Sequence, residues 1–290
     1  MMLTKSNIGY DGEHFSWNPG GFGCSNGCDG CWARAMAKRF GHCQRCRNFE
    51  VHLHEERLYQ ASDRKKPATI LVNFTCDTFD AERPDADISA ILRECIHTKQ
   101  HTFVLLTKNA DRAAKHLIPP SRLNGFRHPD SVYFGLTIRN QADADAKLPV
   151  FMHIPGKKWI SYEPAIERVE WNYIPTAPEQ PMHGHPEATW RPCGSVLRKP
   201  SPPEPGKTIL IPAKWQGIEG IIVGHDNRRG APGTDTLEHV RSTVEQCRDA
   251  GVPVYVKQLL IGGKLRHDAK DFPENLRRRQ LPWPTKEGEA

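Results

Sequence analysis

The sequence lacks any apolar run that approaches the roughly 20 residues needed to cross the hydrocarbon core of a bilayer. Residues 1–10 also lack the apolar core of a secretory signal peptide. The first absence excludes proteins that span a membrane with helices, and the second argues against export. We therefore expect a cytoplasmic protein that has no membrane partner.

The sequence also lacks the even cysteine count of a fully paired disulfide framework, because it contains nine cysteines. In a reducing compartment, cysteines are more often metal ligands or buried thiols than disulfide partners. The chain has 290 residues, of which 38% are hydrophobic and 26% charged, so it can bury a sizeable core. The composition thus predicts a globular protein whose cysteines are metal ligands or buried thiols rather than disulfide partners.

A strong excess of one charge sign is missing as well, since the formal net charge is +6. That value permits a polyanionic partner such as nucleic acid but does not require one. Two basic segments, 264–267 and 277–279, suit phosphate contacts and equally suit a solvated surface. Both interpretations remain open at the level of the sequence.

Strand-like and helix-like segments alternate from residue 69 onward. Apolar runs typical of buried parallel strands lie at 70–74, 103–106, 132–136, 159–162, 221–224 and 252–256. Helical patterns lie near 85–97, 110–117, 141–147 and 236–250. This alternation predicts right-handed parallel crossovers in an α/β fold. We favour a full or partial (β/α) TIM-type barrel over an open doubly wound sheet, with one further strand before Cys24.

The stretch 174–216 interrupts this alternation. It contains ten prolines and predicts an irregular insertion, which is either a lid or a long surface loop. A cysteine-rich segment over 14–60 precedes the first clear strand. We therefore predict a single domain over 1–290, in which the segment 14–60 and the insertion 174–216 are the two irregular parts.

Polar residues follow each predicted strand. In parallel α/β folds, ligands bind at the carboxyl ends of the strands, so these residues are candidates for a site. The strongest single candidates are Asp77, Lys108, Glu163 and Lys257. Glu163 lies between a tyrosine and a proline, so we expect its carboxylate to be partly buried and able to act as an acid, a base or a cation partner.

Three cysteines near the start form the pattern Cys24-x3-Cys28-x2-Cys31. Thiolates are the usual ligands of iron–sulfur clusters, and three of them leave one corner of a four-iron cluster without a protein ligand. Such an open corner predicts chemistry at the cluster and therefore an enzyme. Gly27 and Gly30 suit a loop that wraps tightly around a cluster and turns its N–H groups inward.

A zinc site is the alternative explanation of the same region. In it, Cys28 and Cys31 join the pair Cys43 and Cys46, which lies 11 residues further along, as four thiolate ligands. That arrangement leaves Cys24 without a role. The two kinds of site can also coexist, with Cys43 and Cys46 holding a separate metal, either zinc or a second cluster. The histidines near this second pair are His42, His52 and His54.

With these motifs, the chain resembles a known group of proteins. The cysteine triple matches the motif of the radical S-adenosylmethionine superfamily. More closely, the chain resembles the phage-associated three-cysteine-motif family of radical-SAM-like proteins, which is a domain of unknown function. The resemblance covers most of the chain outside the proline-rich insertion. It rests on the segments 16–19, 24–31, 52–58, 65–67, 101–103, 106–108, 140–141, 163–164, 223–224 and 256–258.

The resemblance implies a full or partial (β/α) barrel in which the three thiolates hold a 4Fe–4S cluster. S-adenosylmethionine then chelates the open iron, and one electron from the cluster cleaves its sulfonium. The 5′-deoxyadenosyl radical released in this way abstracts hydrogen from a substrate. The cofactor supplies this chemistry while the protein supplies orientation and excludes water. A reductant protein such as a flavodoxin or a ferredoxin is the implied partner.

The resemblance also suggests roles for the polar residues at the strand ends. Residues 73–77 occupy the place of a Gly-Gly-Glu loop of the superfamily, so Asp77 is the candidate that binds the methionine amino group. Asn140 and Gln141 are candidates for binding the ribose or the carboxylate. The candidate catalytic residues are Lys108, Glu163 and Lys257.

The sequence therefore predicts an iron–sulfur enzyme of the radical S-adenosylmethionine type whose substrate is unknown. Similarity to radical enzymes that repair DNA lesions suggests nucleic acid as the substrate class. The alternative is a non-catalytic zinc-binding protein that binds nucleic acid through its basic tail. Metal content separates these hypotheses, because only the first requires iron and sulfide.

Overall fold

A computed structural model gives the structure of the chain and describes residues 3–119, 126–171, 217–225 and 236–285, so the predicted insertion 174–216 lies outside the described residues. The strands in these ranges are β1 (Thr4–Lys5), β2 (His14–Trp17), β3 (Thr69–Val72), β4 (Thr102–Thr107), β5 (Val132–Thr137), β6 (Lys157–Tyr162), β7 (Ile218–Gly224), β8 (Val254–Ile261) and β9 (Lys264–Arg266). The α-helices are α1 (Trp32–Phe40), α2 (Gln44–Asn48), α3 (Gln60–Asp63), α4 (Asp85–His97), α5 (Ala110–Leu117), α6 (Gln141–Phe151) and α7 (Thr236–Ala250). In the described part of the chain, no helix combines the length and the apolar character that crossing a membrane requires.

All these strands form one sheet, in which neighbours in sequence are neighbours in space from β1 to β9. Strands β2 to β8 are parallel, while β1 and β9 pair antiparallel at the two edges. Within the described ranges no pairing joins β1 to β9, so the sheet is open. The predicted α/β class with parallel strands is thereby confirmed, and a fully closed barrel is not observed.

The larger core lies between one face of the sheet and the helices. Helices α4, α5, α6 and α7 each connect two consecutive parallel strands. Because the strand order never reverses and such crossovers are right-handed, these helices cover the same face. Ile88 and Ile91 of α4, for example, share a buried cluster with Ile70 and Val72 of β3. A doubly wound sheet would instead reverse its order and place helices on both faces.

The opposite face of the sheet holds a smaller core around Trp283. This core contains one side chain from each strand from β3 to β8, namely Leu71, Val104, Tyr133, Trp159, Ile222 and Tyr255. The ring centroid of Trp283 lies 6.2 Å from that of His14 in β2 and 5.1 Å from that of Trp159 in β6. In a flat sheet those two strands would be roughly 19 Å apart. The sheet therefore curves around Trp283.

Local sequence sets the start of two helices that flank the carboxyl ends of the strands. Helix α4 begins directly after Pro84 and carries Asp85 in its first turn, where a negative charge complements the helix dipole. Helix α6 begins after Asn140, whose side chain accepts a hydrogen bond from the Asp143 N–H at 2.8 Å. These two helix starts fix the loops from which the strand-end residues project.

Candidate functional site

The cysteine triple lies in the loop 18–31, which connects β2 to α1. Because β2 is the first parallel strand, this loop leaves the sheet at the edge where the carboxyl ends of the parallel strands meet. Gly27 and Gly30 have φ angles of 62° and 61°, and these left-handed conformations let the loop turn between its cysteines. Cys24, Cys28 and Cys31 are free thiols of intermediate exposure.

Two polar residues attach the loop 18–31 to the segments that follow β3 and β4. The Ser25 backbone N–H and hydroxyl donate to the two carboxylate oxygens of Asp80, each at 2.7 Å. The Asn26 side chain donates to Asp77 at 2.9 Å and accepts from the Asn109 side chain at 2.9 Å. The loop is therefore held at the edge of the sheet where α/β folds bind their ligands.

Asp77 is the centre of this attachment and is only 4% exposed. Its carboxylate accepts hydrogen bonds from five donors at 2.7 to 3.1 Å, from the side chains of Asn26, Thr107 and Asn109 and the N–H groups of Phe79 and Lys108. Two carboxylate oxygens offer about four lone-pair sites, so the chain itself uses this acceptor capacity. The predicted binding of a methionine amino group by Asp77 would have to displace one of these donors.

The surroundings of Cys24 oppose a free thiolate. Burial raises the pKa of the Cys24 thiol well above its usual range, and the nearby carboxylates of Asp77 and Asp80 raise that pKa further. A metal cation reverses this balance, because a coordinating thiol loses its proton. The three cysteines supply the thiolate donors that iron–sulfur clusters use, but among the described residues their sulfur atoms do not form a group of ligand atoms within 4.8 Å of one another.

Glu163 and Lys257 form an ion pair beside the end of β7. The Lys257 Nζ lies 3.4 Å from the Glu163 Oε1, and the two side chains are 17% and 14% exposed, respectively. This contact lacks hydrogen-bond geometry, and in the described part of the chain no hydrogen-bond donor reaches the Glu163 Oε1. The Lys257 Nζ also lies 5.2 Å from the ring centroid of Tyr10, in a cation–π contact. Opposite charges therefore meet in a nearly buried position.

Lys108 directly follows β4 and contacts the neighbouring strand. Its Nζ donates to the Thr137 Oγ1 at 3.4 Å, and its backbone N–H donates to Asp77 at 2.9 Å. Since side chains alternate along a strand, Lys108 and Thr137 share the face that carries Val104 and Tyr133 of the smaller core. Lys257 contacts the ring of Tyr10, which belongs to the same core, and pairs with Glu163, so all three predicted catalytic residues lie on this face at the same edge of the sheet.

Asn140 and Gln141 lie at the start of α6, where contacts within the chain use their side chains. The Asn140 side chain caps the helix through the Asp143 N–H. The Gln141 side chain donates to Asp145 at 2.7 Å and accepts from the Glu170 N–H at 2.7 Å. The structure therefore gives both residues a local structural role, and their contact with a ribose or a carboxylate stays a prediction.

A second group of potential metal ligands lies next to the loop 18–31. Cys43, Cys46, His52 and His54 each bring one ligand atom within 4.8 Å of the others, and no other such set of three or more occurs in the described ranges. The Cys46 Sγ lies 3.3 Å from the Nε2 atoms of both histidines, and the Cys43 Sγ lies 3.6 Å from that of His52 and 4.0 Å from that of His54. The two Nε2 atoms are 3.1 Å apart. Two thiols and two imidazoles at these distances can hold a metal ion such as zinc.

Local structure explains why these four side chains meet. Cys43 is the N-cap residue of α2, and its Sγ accepts a hydrogen bond from the Cys46 N–H at 3.4 Å, so both sulfur atoms lie on one side of this turn. Helix α2 is followed by its C-cap residue Phe49, whose φ angle of 61° turns the chain back. His52 and His54, two residues apart in the returning segment, then reach the same point as the cysteines.

The second ring nitrogen of each histidine faces an oxygen atom. The His52 Nδ1 lies 2.7 Å from the Glu50 carbonyl oxygen, and the His54 Nδ1 lies 2.9 Å from the Glu56 Oε1. In both contacts Nδ1–H is the donor, which leaves the Nε2 lone pair directed at the two sulfur atoms. Burial lowers the pKa of both histidines, which favours the neutral rings that bind metals.

This group decides between the arrangements considered for Cys43 and Cys46. Two histidines complete the group, while Cys28 and Cys31 do not take part, so the four-thiolate arrangement is not found. The hypothesis of a separate metal site at Cys43 and Cys46 is confirmed at the level of a ligand group, and His42 is not a member of it.

Sequence reasoning missed two charged residues that connect the parts of this region, Asp80 and Arg83. Arg83 is 1% exposed and donates to the His52 carbonyl oxygen at 2.8 Å and to the Asp77 carbonyl oxygen at 3.3 Å. It thereby joins the metal-ligand group to the turn that holds the loop 18–31. The sequence carries a signal for these residues, because Asp77, Asp80 and Arg83 follow the first buried strand at intervals of three residues.

The chain belongs to the family described as "Protein of unknown function (DUF5131)", whose model matches residues 5–280. Comparisons with curated proteins and with solved structures returned no match. Family membership therefore carries no activity with it, and the arrangement of side chains supplies the grounds for a functional proposal.

Proposed function

We propose that the protein is an iron–sulfur enzyme of the radical S-adenosylmethionine type, with a 4Fe–4S cluster held by Cys24, Cys28 and Cys31. The observation that carries this proposal is the position of the loop 18–31. The loop follows the first parallel strand and is hydrogen bonded to the segments after the next two strands. A cluster in this loop lies at the edge where parallel α/β folds bind ligands.

The arrangement of the strands supports the same proposal. We propose that the sheet is a partial (β/α) barrel, because strands β2 to β8 follow one another without reversal and curve around Trp283. In such a barrel, catalytic groups come from the carboxyl ends of several strands. Lys108, Glu163 and Lys257 have that position on the concave face.

When bound, the cluster and S-adenosylmethionine would supply the radical chemistry, in which reductive cleavage of S-adenosylmethionine leads to removal of a hydrogen atom from the substrate. A reductant protein such as a flavodoxin or a ferredoxin supplies the electron. Cys24, Cys28 and Cys31 would hold the cluster through their thiolates. The chain contributes the position of the ligands and the exclusion of water.

Within this proposal, Lys108, Glu163 and Lys257 bind polar groups of the cofactor or the substrate. The ion pair presents a carboxylate and an ammonium group only 3.4 Å apart. A ligand that carries both charges can pair each of its charges with the opposite one. Asp77 has a positioning role, because its hydrogen bonds hold the loop 18–31 against the strand ends.

The test is anaerobic reconstitution with iron and sulfide, followed by reduction and an assay for 5′-deoxyadenosine formed from S-adenosylmethionine. We expect a cluster and this product from the wild-type protein, and the loss of both in Cys24→Ala. Cys247→Ala, which removes a buried thiol of α7, is the matched control and keeps both. An intact cluster that yields no 5′-deoxyadenosine overturns the proposal.

The alternative is a non-catalytic zinc-binding protein that binds nucleic acid. The group of Cys43, Cys46, His52 and His54 favours it. Binding of nucleic acid by the basic segment 277–279 has less support. The Arg279 guanidinium already binds Asp11, and the Arg277 Nε donates to the Phe272 carbonyl oxygen at 3.0 Å. Zinc without iron or sulfide after anaerobic reconstitution, together with binding to a DNA duplex, would support this alternative.

A further inference from the structure

We propose that Cys43, Cys46, His52 and His54 bind one zinc ion in a closed structural site, and that this ion holds the loop 18–31 in place. The inference does not depend on the iron–sulfur proposal, because none of the three cysteines of that loop takes part in it. It assigns the second cysteine pair a role of its own.

The spacing of the four ligand atoms is that of a tetrahedral zinc site. Zinc–sulfur bonds of about 2.3 Å and zinc–nitrogen bonds of about 2.1 Å, at tetrahedral angles, place neighbouring ligand atoms about 3.3 to 3.8 Å apart. The measured sulfur–nitrogen and nitrogen–nitrogen distances lie between 3.1 and 4.0 Å. An ion at the centre of the group therefore requires only small movements of the side chains.

The donor set selects the metal and the kind of site. Two thiolates and two imidazoles in tetrahedral geometry are typical of zinc, whereas calcium and magnesium take oxygen ligands. Four protein ligands fill the tetrahedral coordination of zinc and leave no position for a substrate, which is the pattern of structural sites. The Glu50 carbonyl oxygen and the Glu56 carboxylate orient the two rings from behind, as the outer partners of zinc-bound histidines do.

The ligand group contacts the loop 18–31 directly. The Phe22 N–H donates to the Cys46 Sγ at 3.5 Å, and the Cα of Gly21 packs so closely that a Cβ there would lie 2.8 Å from the same sulfur atom. Arg83 adds a hydrogen bond from the segment after β3 to the His52 carbonyl oxygen. The ion thus joins three segments that are distant in sequence.

The apolar core of the segment that carries the four ligands is small. The local buried cluster consists of Ala33, Ala37 and Phe49, with Phe22, Cys24 and Cys31 packed against it as partly buried side chains. Helix α2 has only five residues, and isolated helices of this length are unstable in water. Folding energy from metal binding substitutes for a hydrophobic core in such segments.

The first experiment measures the metal content of the full-length protein purified in air, without iron or sulfide, and the visible spectrum after replacement by cobalt. We expect about one zinc per chain. We also expect the d–d bands of tetrahedral cobalt with thiolate charge transfer. A wild-type protein that retains no zinc after incubation with zinc and desalting overturns the proposal. Because air-purified protein suffices, failure of the radical-enzyme proposal leaves this result unaffected.

The second experiment compares variants of the two cysteine sets. We expect Cys46→Ala and His52→Ala to lose the zinc and the cobalt bands, while Cys28→Ala and the control Cys247→Ala keep both. Zinc that persists in Cys46→Ala, or that disappears in Cys28→Ala, contradicts the assignment of ligands. If Cys46→Ala does not fold, the cobalt spectrum of the wild type and of Cys28→Ala still decides the question.

Discussion

Gly21 packs closely against Cys46 and His54 in a backbone conformation that favours glycine. Its φ angle is 57°, and a Cβ at this position would lie 2.8 Å from the Cys46 Sγ and 2.9 Å from two ring atoms of His54. Residues with a Cβ rarely adopt this backbone conformation, and real Cβ atoms do not approach other atoms so closely. Glycine therefore makes room for two of the proposed zinc ligands.

We predict that Gly21→Ala reduces the zinc content and lowers the free energy of unfolding by more than the backbone strain of about 1 kcal/mol. Gly262→Ala is the matched control, because Gly262 has the same φ angle of 57° and a Cβ there would meet no atom of the described residues within 4 Å. The measurements are zinc content and urea unfolding of both variants. An equal effect of the two substitutions would show that only backbone strain matters.

Lys158 is a buried lysine on β6 and lies at the amino end of the strand, away from the candidate site. Its Nζ donates to the carbonyl oxygens of Ile154 at 2.8 Å and Gly156 at 3.0 Å, and the residue is 4% exposed. Burial, with a smaller contribution from the charge of Arg127, lowers the pKa of Lys158 to about 8. The folded state therefore releases this proton at a lower pH than the unfolded chain.

This difference predicts how stability changes with pH. Between the folded pKa of about 8 and the unfolded value of about 10.4, the unfolded chain binds more protons, so the free energy of unfolding rises with pH by up to about 1.4 kcal/mol per unit. Lys158→Met removes this contribution, whereas Lys66→Met at an exposed position keeps the wild-type slope. Urea unfolding at several pH values above 8 measures the slopes. Equal slopes in the wild type and Lys158→Met would contradict the prediction.

At the scale of elements, sequence patterns located most helices and strands of the sheet. The predicted helices 85–97, 110–117 and 236–250 have the same bounds as α4, α5 and α7, because apolar spacing and residues such as Pro84 and Gly251 mark their ends. Helix α6 runs to Phe151 rather than to 147, since Pro149 removes one N–H donor without ending the helix.

The candidate site was less visible in the sequence than the elements that carry it. The strand-end positions of Lys108 and Lys257 follow from the alternation of strands and helices. The meeting of two histidines with Cys43 and Cys46 depends instead on the turn at Phe49, whose left-handed conformation is uncommon for a residue other than glycine. The sequence names three nearby histidines as candidates, but residue propensities do not predict such a turn, so the choice of His52 and His54 over His42 comes from the structure.

The start of α6 allows a test that separates a structural role of Asn140 from a role in cofactor binding. If Asn140 only caps the helix, Asn140→Ala lowers the free energy of unfolding by about 1 kcal/mol, and Asn140→Ser largely restores it because serine is also a good N-cap. Urea unfolding measures this pattern, and under the proposed function a purely structural role leaves the affinity for S-adenosylmethionine unchanged in both variants. A loss of affinity in Asn140→Ser, whose cap is intact, would assign the residue to the cofactor.

At the scale of the whole molecule, Trp283 connects the two ends of the chain. It packs in the smaller core with Tyr10, and its Nε1 donates to the His14 Nε2 at 3.1 Å. The same ring contacts Tyr133 and Trp159 in the middle of the sheet. A residue near the end of the sequence therefore fills the concave face that begins with β2, and no local pattern predicts so distant a contact.

We predict that Trp283→Ala lowers the free energy of unfolding by about 3–5 kcal/mol, because it removes a large buried side chain that the curved sheet surrounds. Trp283→Phe keeps most of the apolar volume but leaves the His14 Nε2 without its donor, so we expect a smaller loss. Trp32→Ala is the control, since Trp32 is 56% exposed. Urea unfolding followed by near-ultraviolet circular dichroism measures all three. If Trp283→Ala and the wild type have the same midpoint of urea unfolding, the stability of the concave face does not depend on this side chain. The curvature of the sheet must then come from the strands alone.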